Sequence, residues 1–248
     1  CARHVVSTLP LGVMQRDHAK LFTSPPLPAS KIRGMSAFDM GNFTKFFLQF
    51  DANFWSGRGQ QWLVANHDDD TQRPRSHHRN FTNTAARRDP MEFHDIDALV
   101  PGSNTLFTYV TGADCDVWST MTDEEASNAL VSLLRRHFPS VRQFPKLTAF
   151  FMTRHYADEF MRGAYTVSKV GVTDHDFDEM VEPHGSAAHV FFAGEHTCAA
   201  FQGYVHGGIL SGRRAAAQVL MARGQEAAAE AAYDWECEEL HAKRRTIY

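Results

Sequence analysis

With 248 residues, 43% of them apolar, the chain can bury a sizeable core and holds one large domain or parts of two. Its net charge of -4 lacks the basic excess that nucleic-acid binding requires, while a cationic small molecule is not repelled. No apolar run approaches membrane-spanning length, and the N-terminus shows no signal-like core; Cys1, Cys115, Cys198 and Cys237 lie far apart without a Cys-x-x-Cys, so neither a zinc site nor a disulfide framework is expected.

Residues 4–13 read as a buried strand running into a turn at Pro10. Ser24-Pro25-Pro26-Leu27-Pro28 excludes regular helix or central strand, separates that strand from residues 32–38, and places a domain crossover there. Residues 41–50, followed by Phe54 and Trp55, are β-rich, and alternation puts Phe43 and Lys45 on one face and Thr44 and Phe46 on the other. Lys45 stands out, because a lysine amid so many apolar neighbours either reaches to the surface or is held in a site.

Residues 56–90 are polar and loop-like apart from a short strand at 60–65. His67-Asp68-Asp69-Asp70 and His77-His78 have neither a calcium-loop nor a helical zinc spacing, so a solvated loop without metal is expected. The sequons at Asn42 and Asn80 are read as chance, the first falling inside a predicted strand. Residues 104–111 form another strand, and Thr122-Asp123-Glu124-Glu125 is a capping box. It opens a helix whose apolar stripe is Ala126, Leu130, Leu133 and Leu134 and which Pro139 stops; residues 147–153 are again strand.

The most informative stretch begins at Val190. Val190-Phe191-Phe192-Ala193 has two adjacent aromatics and no helical spacing, hence a buried strand, and Gly194-Glu195 sets a lone carboxylate at its end, the glycine allowing something to press close. A glycine-punctuated loop leads to an alanine-rich helix from about Val205 to Ala222, stopped by Gly224. In such a unit the helix N-terminus, with its unpaired N–H groups, points at whatever lies beyond the strand end. The tail after Gly224 is Ala/Glu-rich and then basic, read as an exposed helix that frays.

Phe192-Ala193-Gly194-Glu195-His196-Thr197, with Gly203-Tyr204-Val205-His206-Gly207 and Ser211-Gly212, resembles the C-terminal signature of the flavin-dependent amine oxidases, most closely the polyamine oxidases. Two further stretches match in order. Phe43-Thr44-Lys45 is similar to the family's Tyr-Thr-Lys, whose lysine reaches flavin N5 through a water, with Phe43 in place of the tyrosine; Gly163-Ala164-Tyr165-Thr166 is similar to Gly-Ser-Tyr-Ser. At Thr153-Arg154-His155 the sequence departs from the family's Thr-Arg-Trp, and His155 replaces a tryptophan that packs on the flavin.

The resemblance implies a mixed α/β (α+β) fold, part of a two-domain amine oxidase: residues 1–28 a segment of the FAD domain, 29–185 a mixed-sheet substrate domain, 186–224 the strand-loop-helix of a Rossmann-like FAD domain, and 225–248 a tail. It implies Lys45 as the catalytic residue, Gly194, Glu195, Tyr204 and Val205 as cofactor-binding, and Phe43, Tyr165 and Tyr204 around the substrate. FAD is expected to be noncovalent, because residues 163–171, the region similar to the cysteine attachment of monoamine oxidases, contain no cysteine. The implied reaction oxidises an amine with O2 and yields H2O2. A Gly-x-Gly-x-x-Gly phosphate loop after a strand is absent, so the matched part is the C-terminal part of the family fold, and this chain alone is expected neither to retain FAD nor to be active. The alternatives left open are a non-catalytic relic or binding module without FAD, an L-amino-acid oxidase using Arg154 as a carboxylate clamp, and a histone lysine demethylase.

Overall fold

A computed structural model describes residues 2–64, 91–112, 114–185 and 189–232. In chain order its elements are β1 (Val5–Ser7), α1 (Leu11–Leu21), α2 (Ala29–Ser36), β2 (Phe38–Gly41), β3 (Phe43–Phe50), β4 (Gln61–Val64), β5 (Met91–Asp95), β6 (Thr105–Thr111), α3 (Asp114–Ser119), α4 (Asp123–His137), β7 (Leu147–Met152), β8 (Tyr165–Ser168), α5 (Asp174–Val181), β9 (Val190–Phe192), α6 (Val205–Ala222) and α7 (Glu226–Ala232). They divide into two compact units, one made of Cys1–Gly41 with Tyr156–Tyr248 and the other of Asn42–His155. These boundaries come from packing. The expected ones at 28/29 and 185/186 fall inside the first unit, because β2 pairs antiparallel with β8 and α2 packs on α5.

In the first unit β1 and β9 run parallel, Val5 opposite Val190 and Ser7 opposite Phe192. The opening strand is shorter and less covered than its sequence suggests, with Val5 50% and Val6 41% exposed. The turn at Pro10 is a helix start: its carbonyl accepts from Val13 N and Met14 N, both at 3.0 Å, and proline costs nothing at a position that needs no N–H. Leu11 and Met14, three apart, are the buried face of α1, a periodicity hidden by the Leu-Gly-Val that continues the strand-like run. Pro28 caps α2 in the same way. At α2 and α5 a Cβ on Gly34 would stand 2.7 Å from Asp176 O, so the two helices cross at glycine distance. Leu11, Met14, Leu27, Met35, Phe38, Phe177, Met180 and Phe192 form the core beneath them.

The second unit is a five-stranded sheet in the order β4-β5-β6-β3-β7. Its described strands pair antiparallel throughout, where a mixed sheet is expected. Alternation is as the sequence predicts: Thr44, Phe46, Leu48 and Phe50 are buried, while Phe43, Lys45 and Phe47 on the other face are half-buried. The buried face meets α3 and α4, with Phe46 4.8 Å from the Trp118 ring and Leu130 and Leu134 fully covered. The capping box of α4 is formed, Glu125 N donating to Thr122 Oγ1 at 3.2 Å and Thr122 N to the Glu125 carboxylate at 2.9 Å. Asn42 lies between β2 and β3 rather than in a strand, and the sequon at Asn80, His67 to Asp70 and His77-His78 lie outside the described residues. Cys115 is free and buried, whereas Cys198 is disulfide-bonded. This corrects the cysteine reading, since pairing follows proximity in space and not spacing in sequence.

Candidate active site

In the first unit the end of β9 is built around Glu195. Gly194 has φ 135°, a conformation that favours glycine, and turns the chain into a short 3-10 helix (Glu195–Thr197). The group that presses against Gly194 is the His196 ring, whose Cε1 would lie 2.6 Å from an added Cβ. Gly194 N donates to Ser211 Oγ of α6 at 2.9 Å. The Glu195 carboxylate accepts three bonds, two on Oε1 from Thr166 N at 3.2 Å and Thr166 Oγ1 at 2.6 Å, and one on Oε2 from Gly203 N at 2.6 Å. One side chain thus joins the strand carrying Tyr165 to the loop that becomes α6. The half-buried Tyr165 ring lies over Gly41 and Gly203, where added Cβ atoms would come within 2.8 and 3.3 Å of it.

The start of α6 is open. Tyr204 occupies the N-cap position without a side-chain capping bond, its ring stacks on His206 at 5.2 Å, and Tyr204 and Val205 are 62% and 84% exposed. The first-turn N–H groups and their partial positive charge are therefore offered outward. Gly207 is held close to the preceding turn, since a Cβ there would stand 2.1 Å from Phe201 O.

Behind this lies a buried basic cluster that the sequence reading missed. Arg214 donates to Thr197 O at 2.6 Å, Thr197 Oγ1 at 2.9 Å and Phe192 O at 3.0 Å, so its guanidinium ties α6 to the end of β9. Lys31, 1% exposed, donates to Glu179 O at 3.0 Å and Met180 O at 2.7 Å in the last turn of α5, with its ammonium 4.0 Å from the Phe192 ring centroid. Burial lowers its pKa to about 7, with Glu182 opposing and Arg214 adding to the shift. Burial likewise depresses His196 to about 4, helped by the charges of Arg214 and Lys31, which keeps its ring neutral.

In the second unit Lys45 sits on the aromatic face of β3. Its Nζ is 5.4 Å from the Phe43 ring centroid, and Phe43 stacks on Tyr109 of β6 at 4.9 Å. The backbone is fixed on the other side by Thr153, whose Oγ1 accepts from Lys45 N at 2.9 Å and whose N donates to Lys45 O at 3.0 Å. Arg154 Nη2 donates to Met121 O at 3.0 Å and the Asp123 carboxylate at 2.7 Å, a structural anchor for the start of α4. His155, at the end of this unit, is half-buried.

A family described as flavin containing amine oxidoreductase matches residues 2–220. The chain belongs to this flavin-containing amine oxidoreductase family. It is 30% identical to polyamine oxidase 1 of Zea mays over 212 residues, covering 85% of this chain and 38% of the maize protein. It is 31% identical to the peroxisomal N(1)-acetyl-spermine/spermidine oxidase of Homo sapiens, over 88% of this chain and 43% of the human one. Lysine-specific histone demethylase 1 of Caenorhabditis elegans is 29% identical over 88% of the chain. Among solved structures, cyclohexylamine oxidase from Brevibacterium oxydans shares the fold with a TM-score of 0.58 at 21% identity, over 91% of this chain and 44% of that one. The chain thus spans well under half the length of these oxidases.

For a member of this family the site residues sort by unit. Gly194, Glu195, Tyr165, Tyr204 and Val205 are brought together in the first, Phe43 and Lys45 in the second. The open start of α6 fits the anionic edge of a flavin ring. Glu195 has three of its roughly four acceptor positions taken by Thr166 and Gly203, so it positions that helix start and keeps about one acceptor position for a further donor. Among the described residues no cluster of His, Cys, Asp and Glu is arranged to hold a metal, and no helix is long and apolar enough to cross a membrane.

Proposed function

We propose that this chain is the C-terminal part of an FAD-dependent oxidase of a polyamine or related amine, with FAD held noncovalently. FAD supplies the electron sink: hydride leaves the carbon next to a neutral amine, the resulting imine takes up water to give a carbonyl compound and a released amine, and O2 accepts the electrons as H2O2. The carrying observation is Lys45, a cation on a half-buried aromatic sheet face, where it can order a water and stabilise developing charge. In the first unit Tyr165 and Tyr204 offer aromatic walls for methylenes, Val205 begins the helix that faces the cofactor ring, and Glu195 keeps it in place. The similarity to the maize and human oxidases supports the substrate class.

The test is spectroscopic. The full-length protein should carry a flavin spectrum that bleaches without oxygen when spermidine is added and returns with O2 as H2O2 accumulates. A flavin that no polyamine bleaches would overturn the reading. A colourless protein that still binds polyamine would establish a binding module instead.

A further inference from the structure

Among the described residues the aromatic face of the second unit carries one carboxylate, and the strand register places it in one row with Lys45, across Tyr109. In the β3–β6 ladder Lys45 pairs with Tyr109; in the β5–β6 ladder Phe93 pairs with Thr108 and His94 with Phe107, so the next position sets Glu92 beside Tyr109. Lys45, Tyr109 and Glu92 therefore form one row across three neighbouring strands on one face. At about 4.8 Å per strand, the backbones of Lys45 and Glu92 are about 10 Å apart with the Tyr109 ring between them. The adjacent row is Phe47, Phe107 and His94, with Phe47 and Phe107 rings 5.1 Å apart and Phe107 and His94 5.3 Å apart. The result is an aromatic floor with an ammonium at one end and a carboxylate at the other.

Glu92 is built into this floor. Its Oε2 accepts from the Tyr109 hydroxyl at 2.5 Å, its side chain is only 23% exposed, and His94 Nε2 stands 3.8 Å away. The bond to Glu92 raises the pKa of Tyr109, so the phenol stays the donor. A carboxylate offers about four acceptor positions, and Tyr109 uses one. We infer that Glu92, oriented by Tyr109, binds the distal ammonium of a linear di- or polyamine laid across β6 towards Lys45, an inference that rests on the amine-oxidase reading above. Like-charge repulsion excludes an ammonium beside Lys45, so the row imposes polarity on the substrate: its charged end goes to Glu92 and its neutral amine, the form whose carbon is oxidised, to Lys45. The methylenes between them cover Tyr109, Phe107 and Phe47. An ion pair at a partly desolvated carboxylate is stronger than one at open surface.

The experiment compares 1,4-diaminobutane with n-butylamine on the full-length, flavin-loaded protein, by calorimetric binding and by anaerobic bleaching. Glu92→Gln keeps an oxygen for the Tyr109 hydroxyl but loses the charge. It should weaken diamine binding and raise its half-saturation by about ten- to a hundredfold at an unchanged limiting rate, and alter monoamine binding by less than about twofold. Tyr109→Phe keeps the charge and should keep most of the diamine preference. Equal losses for both amines, no loss, or a preference that vanishes in Tyr109→Phe but survives in Glu92→Gln would overturn the inference. If the wild type bleaches with amine and these patterns fail, only the Glu92 subsite falls; if no amine bleaches the wild type, the functional reading falls with it.

Discussion

Replacing Lys31 with Met removes a buried ammonium without changing the shape of its slot, and the consequence is a change in how stability depends on pH. The unfolded chain binds the lysine proton up to the ordinary value of 10.5, whereas the folded chain releases it at about 7. Between these limits the unfolded state holds more protons, so stability rises with pH; the contribution is complete above 10.5 and is lost as pH falls through 7. The slope is about 1.4 kcal/mol per pH unit, or about 4 kcal/mol between pH 7 and 10 as an upper figure. The assay is urea denaturation followed by circular dichroism at several pH values from 6 to 10, on wild type and Lys31→Met. Taking the difference between the two proteins cancels the titration of every other group. It should grow in favour of wild type as pH rises. A flat difference, or one that shrinks, would show that Lys31 stays charged throughout, held by the carbonyls of Glu179 and Met180 and by the Phe192 ring, and would refute the desolvation argument.

On the acid side His196, depressed from 6.5 to about 4, should contribute stability that is complete above pH 6.5 and lost as pH falls towards 4, by about 3 kcal/mol at most; its ring proton shifts in NMR should not titrate above pH 5. Glu195→Gln should lower stability by about 1–3 kcal/mol in urea, because an amide can satisfy Thr166 or Gly203 but turns N–H groups towards the other donor; an unchanged midpoint would remove Glu195 from its clamping role. In the full-length protein Lys45→Met should slow flavin reduction or reoxidation by about tenfold or more with the flavin still bound, measured by stopped-flow absorbance, and unchanged rates in both half-reactions would exclude Lys45 from the chemistry.

Much of the fold was legible where a local rule dominates. The alternation in β3, the capping box of α4 and the extent of α6 followed from periodicity and end signals alone. α1 was not, because Pro10 stands equally well before a turn and at a helix start, and α5 was passed over although Thr173 and Asp176 carry the spacing of a capping box. At the site, Glu195 and Lys45 stood out as charges in apolar stretches. Their partners did not: Thr166 and Gly203 lie 29 and 8 residues from Glu195, and nothing local marks them. Nothing in its local sequence marks Lys31, since its burial depends on α5 arriving from 148 residues away. Glu92 gains meaning only from the pairing of three strands.

The first unit is assembled from both ends of the described chain, with the second unit inserted between Gly41 and Tyr156. During synthesis the strands and helices of the inserted unit are complete when Tyr156 emerges, while β1 must wait for β9 and α2 for α5. The inserted unit can therefore condense on the ribosome, and the discontinuous one pays its loop closure late, when the inserted segment has already been shortened by folding into a compact body. The Glu195 clamp closes late, because it joins Thr166 of a strand already made to Gly203, which follows Glu195 in the chain. The start of α6 is thus among the final features to be set, and truncation beyond Ser168 would leave β2 paired but deprive the unit of the partner that closes β1.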